Sequence, residues 1–349
     1  MRARDLGLPL TGRTGQHNAI TDVPGVQVGY TTLIKGDAVR TGVTAILPRP
    51  HAEVDVPCAA GWYSLNGNGE MTGTTWLSET GSLRLPVLIT NTHAIGPAHR
   101  GTIDWTVREK PSVAREWLLP VVAETWDGYL NDINGPHIQP THAVAAIDAA
   151  RPGPVAEGSV GGVTGMNCYA FKGGSGTASR LIDYGSDTYT VGAFVQANFG
   201  ARKELTVCGV PVGAALSADN PLEDTDWRMP PGAGSVIAVL ATDAPLLPSQ
   251  CTALARRVPL GLARTGTTGS HFSGDIFLAF STARSTGSPD YEQLRFIPWI
   301  RLDEFFAAVV QAIEEAVLNA LVAADTMTGR DGHRSPALPI AELLTLLKV

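Results

Sequence analysis

Nowhere in this 349-residue chain do lysines and arginines cluster, and the formal charge is -7 with a pI near 5.6. A basic face for nucleic acid or an anionic membrane is therefore not expected, and the partner expected is a small molecule. The four cysteines, Cys58, Cys168, Cys208 and Cys251, stand far apart without a C-x-x-C pair. That spacing points to neither a zinc ribbon nor a disulfide framework, and buried free thiols are the expectation. No stretch reaches the ~20 apolar residues of a membrane span, and the N-terminal segment meets Thr11, Gly12 and Arg13 before an apolar core of leader-peptide length can form. A cytoplasmic protein is expected. Phosphate-binding motifs are missing as well: the glycines of residues 158–176 fit neither the P-loop nor the dinucleotide pattern, and Lys172 precedes its glycine pair. His93, His99, His137, His142 and His271 form no H-x-x-x-H or H-E-x-x-H pair, so no metal or other cofactor is expected. A G-x-S-x-G nucleophile elbow does not occur either.

What is present describes a folded protein rich in tight turns. Hydrophobic residues make up 44% of the chain and charged ones only 17%, with 38 glycines and 24 prolines. Short Val- and Ile-rich runs at 26–30, 43–47, 87–90, 191–197, 235–241 and 276–280 predict strands, several buried on both faces. Leu302, Phe305, Phe306, Val309, Ile313, Val317 and Leu321 recur at three- and four-residue spacing and predict an amphipathic helix of about five turns. A second helix is predicted over 249–257, entered through Pro248. Strands mixed with helices give a layered α/β architecture. Residues 217–232 follow neither period; polar, acidic and proline-bearing, they read as a linker that ends just before Gly234, Ser235 and an apolar strand.

That junction carries chemistry of its own. A serine held in a strained turn can attack the carbonyl carbon of the preceding residue, and glycine there leaves the carbonyl uncrowded. Hydrolysis of the resulting ester frees a serine that bears both a hydroxyl and a new α-amine, which can act as its base. Read alone, the same Gly-Ser pair is an ordinary loop-to-strand turn.

Seven segments in order decide between the two: 18–29; 66–73 (Asn-Gly-Asn-Gly-Glu-Met-Thr-Gly); 123–132 (Ala-Glu-Thr-Trp-Asp-Gly-Tyr-Leu-Asn-Asp); 171–180; 195–200 (Val-Gln-Ala-Asn-Phe-Gly); Gly234-Ser235 with 241–246; and 273–282. Together they resemble the L-aminopeptidase/D-esterase and β-aminopeptidase family across nearly the whole chain. The resemblance implies a single self-processing serine hydrolase domain with a four-layer α/β/β/α sandwich, similar to N-terminal-nucleophile hydrolases but differing in connectivity. Cleavage between Gly234 and Ser235 would give fragments 1–234 and 235–349, with homotetrameric assembly. Carried over by position, Ser235 is the nucleophile and Asn198 the oxyanion donor. Ser273 and Asp275 are a pair beside the new amine, two apart on one strand and so on one face. Asp275 is a shorter acid than the Glu of some relatives. Glu124 would bind the substrate's free amine, and Tyr129 would donate near the scissile carbonyl; without the resemblance, these two read as a surface salt bridge and a core tyrosine. Substrates implied are small peptides, amides or esters with α-L-, D- or β-amino N-termini. Acyl transfer of the self-cleaving ornithine acetyltransferase type is an alternative that uses threonine where this chain has serine. A small-molecule binding protein with a dead site is a further one.

Overall fold

The computed structural model describes residues 1–224, 234–288 and 290–348. Ten strands build two stacked sheets: β1 (Gln27–Lys35), β2 (Val39–Leu47), β3 (Cys58–Ser64), β4 (Ser82–Leu83), β5 (Val87–Asn91), β6 (Val121–Thr125), β7 (Gly174–Tyr184), β8 (Asp187–Asn198), β9 (Gly234–Thr242) and β10 (Ser273–Ser281). The first sheet runs β1-β2-β5-β6 and the second β4-β3-β10-β9-β8-β7. Pairing is antiparallel except between β5 and β6 and between β9 and β10. Among the described residues seven α-helices accompany them: α1 (Thr74–Thr80), α2 (Ile95–Glu109), α3 (Pro140–Asp148), α4 (Pro248–Ala255), α5 (Val258–Ala263), α6 (Asp303–Val322) and α7 (Ile340–Leu347).

The layers follow from strand alternation. On β9, Ile237, Val239 and Ala241 face the other sheet, where they pack with Phe194, Leu278, Ile46, Val87 and Ile89. Val236, Ala238 and Leu240 face outward onto Phe305, Val309, Ile313 and Val317 of α6. On the opposite side, Trp105 and Ala98 of α2 and Ala143 and Ile147 of α3 cover Val43, Leu47, Leu88 and Val122. The result is the expected α/β/β/α sandwich.

All six predicted strands form, as does the long C-terminal helix. By length and composition α6 could cross a membrane, but it is mostly buried in this core, and its Glu315 accepts from Arg4 Nε at 2.8 Å and Arg180 Nη2 at 2.6 Å. The helix predicted over 249–257 forms as α4 and ends two residues early, with Arg256 and Arg257 in the turn that leads into α5.

Residues 158–176, whose glycines fit no phosphate-binding motif, divide. Gly165, Asn167 and Ala170 line a cavity, whereas Gly174 and Gly176 begin β7. There a Cβ on Gly176 would lie 1.9 Å from the Ala316 carbonyl oxygen, so glycine is what lets α6 lie so close to the sheet.

Candidate active site

β8 ends where β9 begins. Their antiparallel register sets Asn198 against Ser235, and the parallel register with β10 sets Ser235 against Gly274. By alternation the Ser235 side chain points between the sheets, with Ile237 and Val239. Gly234 fills a place no larger residue fits, since a Cβ there would lie 2.0 Å from the Asn198 carbonyl oxygen. Ser235, Asn198, Glu124 and Tyr129 all line one cavity of about 280 Å³, walled further by Trp126 and Phe272. Residues far apart in the chain are thus gathered at one sheet end.

Asn198 is held in one orientation. Its Oδ1 accepts the Asn167 N–H at 2.9 Å, and its Nδ2 donates to the Trp126 carbonyl at 3.0 Å. An amide nitrogen has two hydrogens, so a second donor remains for the cavity. The turn presenting Asn167 is pinned from behind by Lys172. Its buried ammonium donates to the carbonyls of Met166 at 2.9 Å, Gly173 at 2.7 Å and Val163 at 3.4 Å. Burial pushes that ammonium down to about 7, against the opposing pull of Cys168 and Asp127.

Glu124 is only 2% exposed, which rules out the surface salt bridge. Its Oε1 accepts the Glu70 N–H at 2.9 Å, and Oε2 accepts the Thr92 hydroxyl. Burial raises its pKa above the ordinary glutamate value, although both hydrogen bonds oppose the rise. Tyr129 stacks on His333 with centroids 4.6 Å apart, and its hydroxyl lies 3.4 Å from Asp224 Oδ2. Burial, then the Asp224 charge, raises the phenol to about 12, so it stays protonated and able to donate at neutral pH.

Ser273 and Asp275 do share a face, with Ser273 Oγ donating to Asp275 Oδ1 at 2.5 Å. That face is the one turned from the Ser235 side chain, because Ser235 is opposite Gly274 rather than either of them. Their reach to Ser235 runs along the backbone: Asp275 Oδ1 accepts the Val236 N–H at 3.1 Å, one peptide from Ser235. Asn66 braces the acid, donating to Oδ2 at 2.8 Å and accepting the Asp275 N–H at 2.6 Å. Burial raises the Asp275 carboxyl, opposed by Ser273, Asn66 and the Val236 N–H.

Asn66, Thr92, Asn167 and Lys172 were not read as site residues from the sequence. The Asn66 turn and the glycine-rich stretch holding Lys172 both stood out by composition, while Thr92 carries no local signal. Residues 225–232 of the expected linker lie outside the described residues; of 217–224, Pro221 and Leu222 belong to the cavity wall. Pro221 and Leu222 line the cavity from a short 3₁₀ turn capped by Asn220. Among the described residues no group of three or more His, Cys, Asp or Glu converges as a metal site.

The sequence profile of peptidase family S58 matches residues 18–335. The β-peptidyl aminopeptidase BapA of Sphingosinicella microcystinivorans is 49% identical over 367 residues, covering 99% of this chain and 92% of the relative. The fold superposes on the L-aminopeptidase D-Ala-esterase/amidase of Ochrobactrum anthropi, a prototype serine aminopeptidase with a variant Ntn-hydrolase fold. Here the TM-score is 0.94 and the identity 46%, over 99% of this chain and 98% of that one. A Burkholderia sp. β-aminopeptidase matches with TM-score 0.91 and 45% identity, over 100% and 98%.

Proposed function

Because this chain belongs to peptidase family S58 and is a hydrolase of the aminopeptidase/amidase kind, we propose that it activates itself by cutting the Gly234–Ser235 bond and then uses Ser235 as an N-terminal nucleophile. The observation that carries this reading is the convergence on one cavity of a buried serine at a strand start, an oriented amide donor and a buried carboxylate. In the first reaction Ser235 Oγ attacks the Gly234 carbonyl carbon, the acyl group moves from N to O, and water releases the Gly234 carboxylate and the Ser235 hydroxyl and amine. In the second, Oγ attacks the carbonyl of a substrate's N-terminal residue, the leaving amine takes a proton, and water hydrolyses the acyl-enzyme.

Asn198 stabilises the oxyanion in both reactions, and Tyr129 donates beside it. Asp275 and Ser273 are positioned to hold the new ammonium and relay its proton through the strand end. Glu124 receives the substrate's free ammonium in a site that excludes water, where such a pair is strong. Substrates are short peptides, amides or esters, with β-amino, L-amino and D-alanyl N-termini the classes suggested by the relatives. Four unpaired cysteines, three of them buried, suit a reducing cytoplasm, and the family resemblance supports a homotetramer of processed protomers.

Intact-mass measurement of the purified protein should show 1–234 and 235–349, with hydrolysis of at least one among β-homoalanyl, L-alanyl and D-alanyl p-nitroanilides. An uncut chain that is nonetheless active would overturn the reading. The acid limb of kcat/KM supplies a second check. Glu124 must be ionised to hold an ammonium, so activity falls as pH drops through its raised value, above the ~4.3 of a free glutamate. Stability runs the other way, since a raised folded value favours the protonated form and its contribution is lost as pH rises. Glu124→Gln should remove that limb and raise KM about tenfold to hundredfold, with a smaller change in kcat.

A further inference from the structure

Behind the Tyr169–Ala170 turn lies a second buried cation, Arg202, at 3% exposure. A guanidinium has five N–H donors, and here each meets a backbone carbonyl. Nε donates to Tyr169 at 3.0 Å. Nη1 donates to Leu216 at 2.7 Å and Ala218 at 2.9 Å. Nη2 donates to Ala170 and, at 3.2 Å, to Asp219. The guanidinium carbon also sits 3.5 Å from the Phe171 ring centroid.

The carbonyls belong to two separate stretches of chain, and both continue into the cavity wall. Ala170 lines the cavity from one, and Pro221 with Leu222 from the other. Tyr169 and Ala170 hold φ of 53° and 57°, a left-handed backbone that non-glycine residues keep only where the surroundings over-determine it. Arg202 supplies that constraint from behind, joined by the Tyr169 hydroxyl, which lies 2.7 Å from Thr265 Oγ1. The guanidinium remains charged at neutral pH: burial lowers it to about 10, while Asp219 and Glu223 pull it up.

We propose that Arg202 is a positioning residue that sets the width of the acyl pocket, clamping the 169–170 turn to the 216–222 strap and keeping the strap seated once the chain is cut. The inference rests on Ser235 being the nucleophile of this cavity. The strap lies upstream of Gly234, so cleavage would remove its covalent tie to β9 and leave it to non-covalent contacts, chiefly the Arg202 clamp, with the Arg334–Asp219 ion pair beside it. Lysine cannot substitute, because an ammonium has three donors and no plane to stack on Phe171.

Arg202→Lys tests this in the full-length protein. The variant should still be cut and folded by circular dichroism, yet limited proteolysis within 216–222 should speed up about tenfold or more. KM should rise about tenfold with kcat changed less than about threefold, and the ratio of kcat/KM between bulky and small N-terminal residues should shift by about tenfold. Unchanged proteolysis together with an unchanged ratio overturns the proposal. So does an equal fall of activity on every substrate, which marks a merely structural role. Should the variant fail to fold, hydrogen exchange compares the strap amides in cut wild type and in uncut Ser235→Ala. Equal protection is expected, and strap protection lost on cutting overturns the clamp. If Ser235→Ala is itself cut or active, the nucleophile assignment fails instead, and the proteolysis result still reports on Arg202.

Discussion

Ser235→Ala is expected to run as a single full-length chain on a denaturing gel, against two fragments expected for the wild type, and to lose hydrolysis of every p-nitroanilide by about 10⁶-fold, the scale seen when a serine hydrolase loses its nucleophile. Both losses have one origin in the proposed mechanism, in which the same Oγ attacks Gly234 in the first reaction and the substrate in the second. Among the described residues of the cavity wall, the other hydroxyl groups are engaged elsewhere, Thr92 donating to Glu124 Oε2 and Tyr129 to Asp224. Asn198 and Tyr129 are donors, and Glu124 already accepts from the Glu70 N–H and Thr92. Packing is barely touched, since alanine removes one oxygen from a side chain at a strand end, so the melting temperature should stay within a few degrees of the uncut chain. Ser235→Cys keeps a nucleophile of similar size and should be cut, which separates loss of chemistry from loss of fold. An alanine variant that is processed would sink the assignment at its root.

Ser235 and Asn198 were reachable from the sequence only through the family resemblance; the apolar runs announce the strands they end, but without it both read as ordinary turn residues beside Gly234 and Gly200. The partnership between them was not, because it depends on the register of β8 against β9 across an intervening segment of about 35 residues. Ser273 and Asp275 show the limit most clearly. Their two-residue spacing correctly puts them on one face, but which face they share relative to Ser235 is a property of the parallel pairing with β10, and it turns both away from the serine side chain. Asn66 braces Asp275 over a separation of 209 residues, beyond any local signal. The strands β3, β6 and β7 escaped for a different reason. β7 packs through glycines, serines and threonines so that α6 can lie close, and that composition reads as a loop. Arg202 left no trace at all, since its five partners are backbone carbonyls and carry no side-chain pattern.

The second large effect is expected at Asn198, where substitution by alanine should lower kcat by about 10² to 10³, equivalent to about 3–4 kcal/mol of barrier. The magnitude follows from preorganisation. Asn167 N–H on Oδ1 and the Trp126 carbonyl on Nδ2 fix the amide before any substrate arrives, so the remaining N–H needs no reorientation when charge develops on the carbonyl oxygen. KM should move little, because a neutral carbonyl gains far less from that donor than an oxyanion does. The proposed self-cleavage would pass through a tetrahedral oxyanion of its own beside the same side chain, so newly made Asn198→Ala should also accumulate uncut chain and convert it slowly. Measuring turnover per cut protomer separates the two effects. Asn198→Asp is the sharper variant: its side chain keeps the volume, but the carboxylate has no N–H to offer and sets a negative charge where the oxyanion forms. It should therefore fall below alanine in both processing and turnover. An aspartate variant as active as wild type would place the oxyanion away from Asn198 and leave Tyr129 as the donor to test.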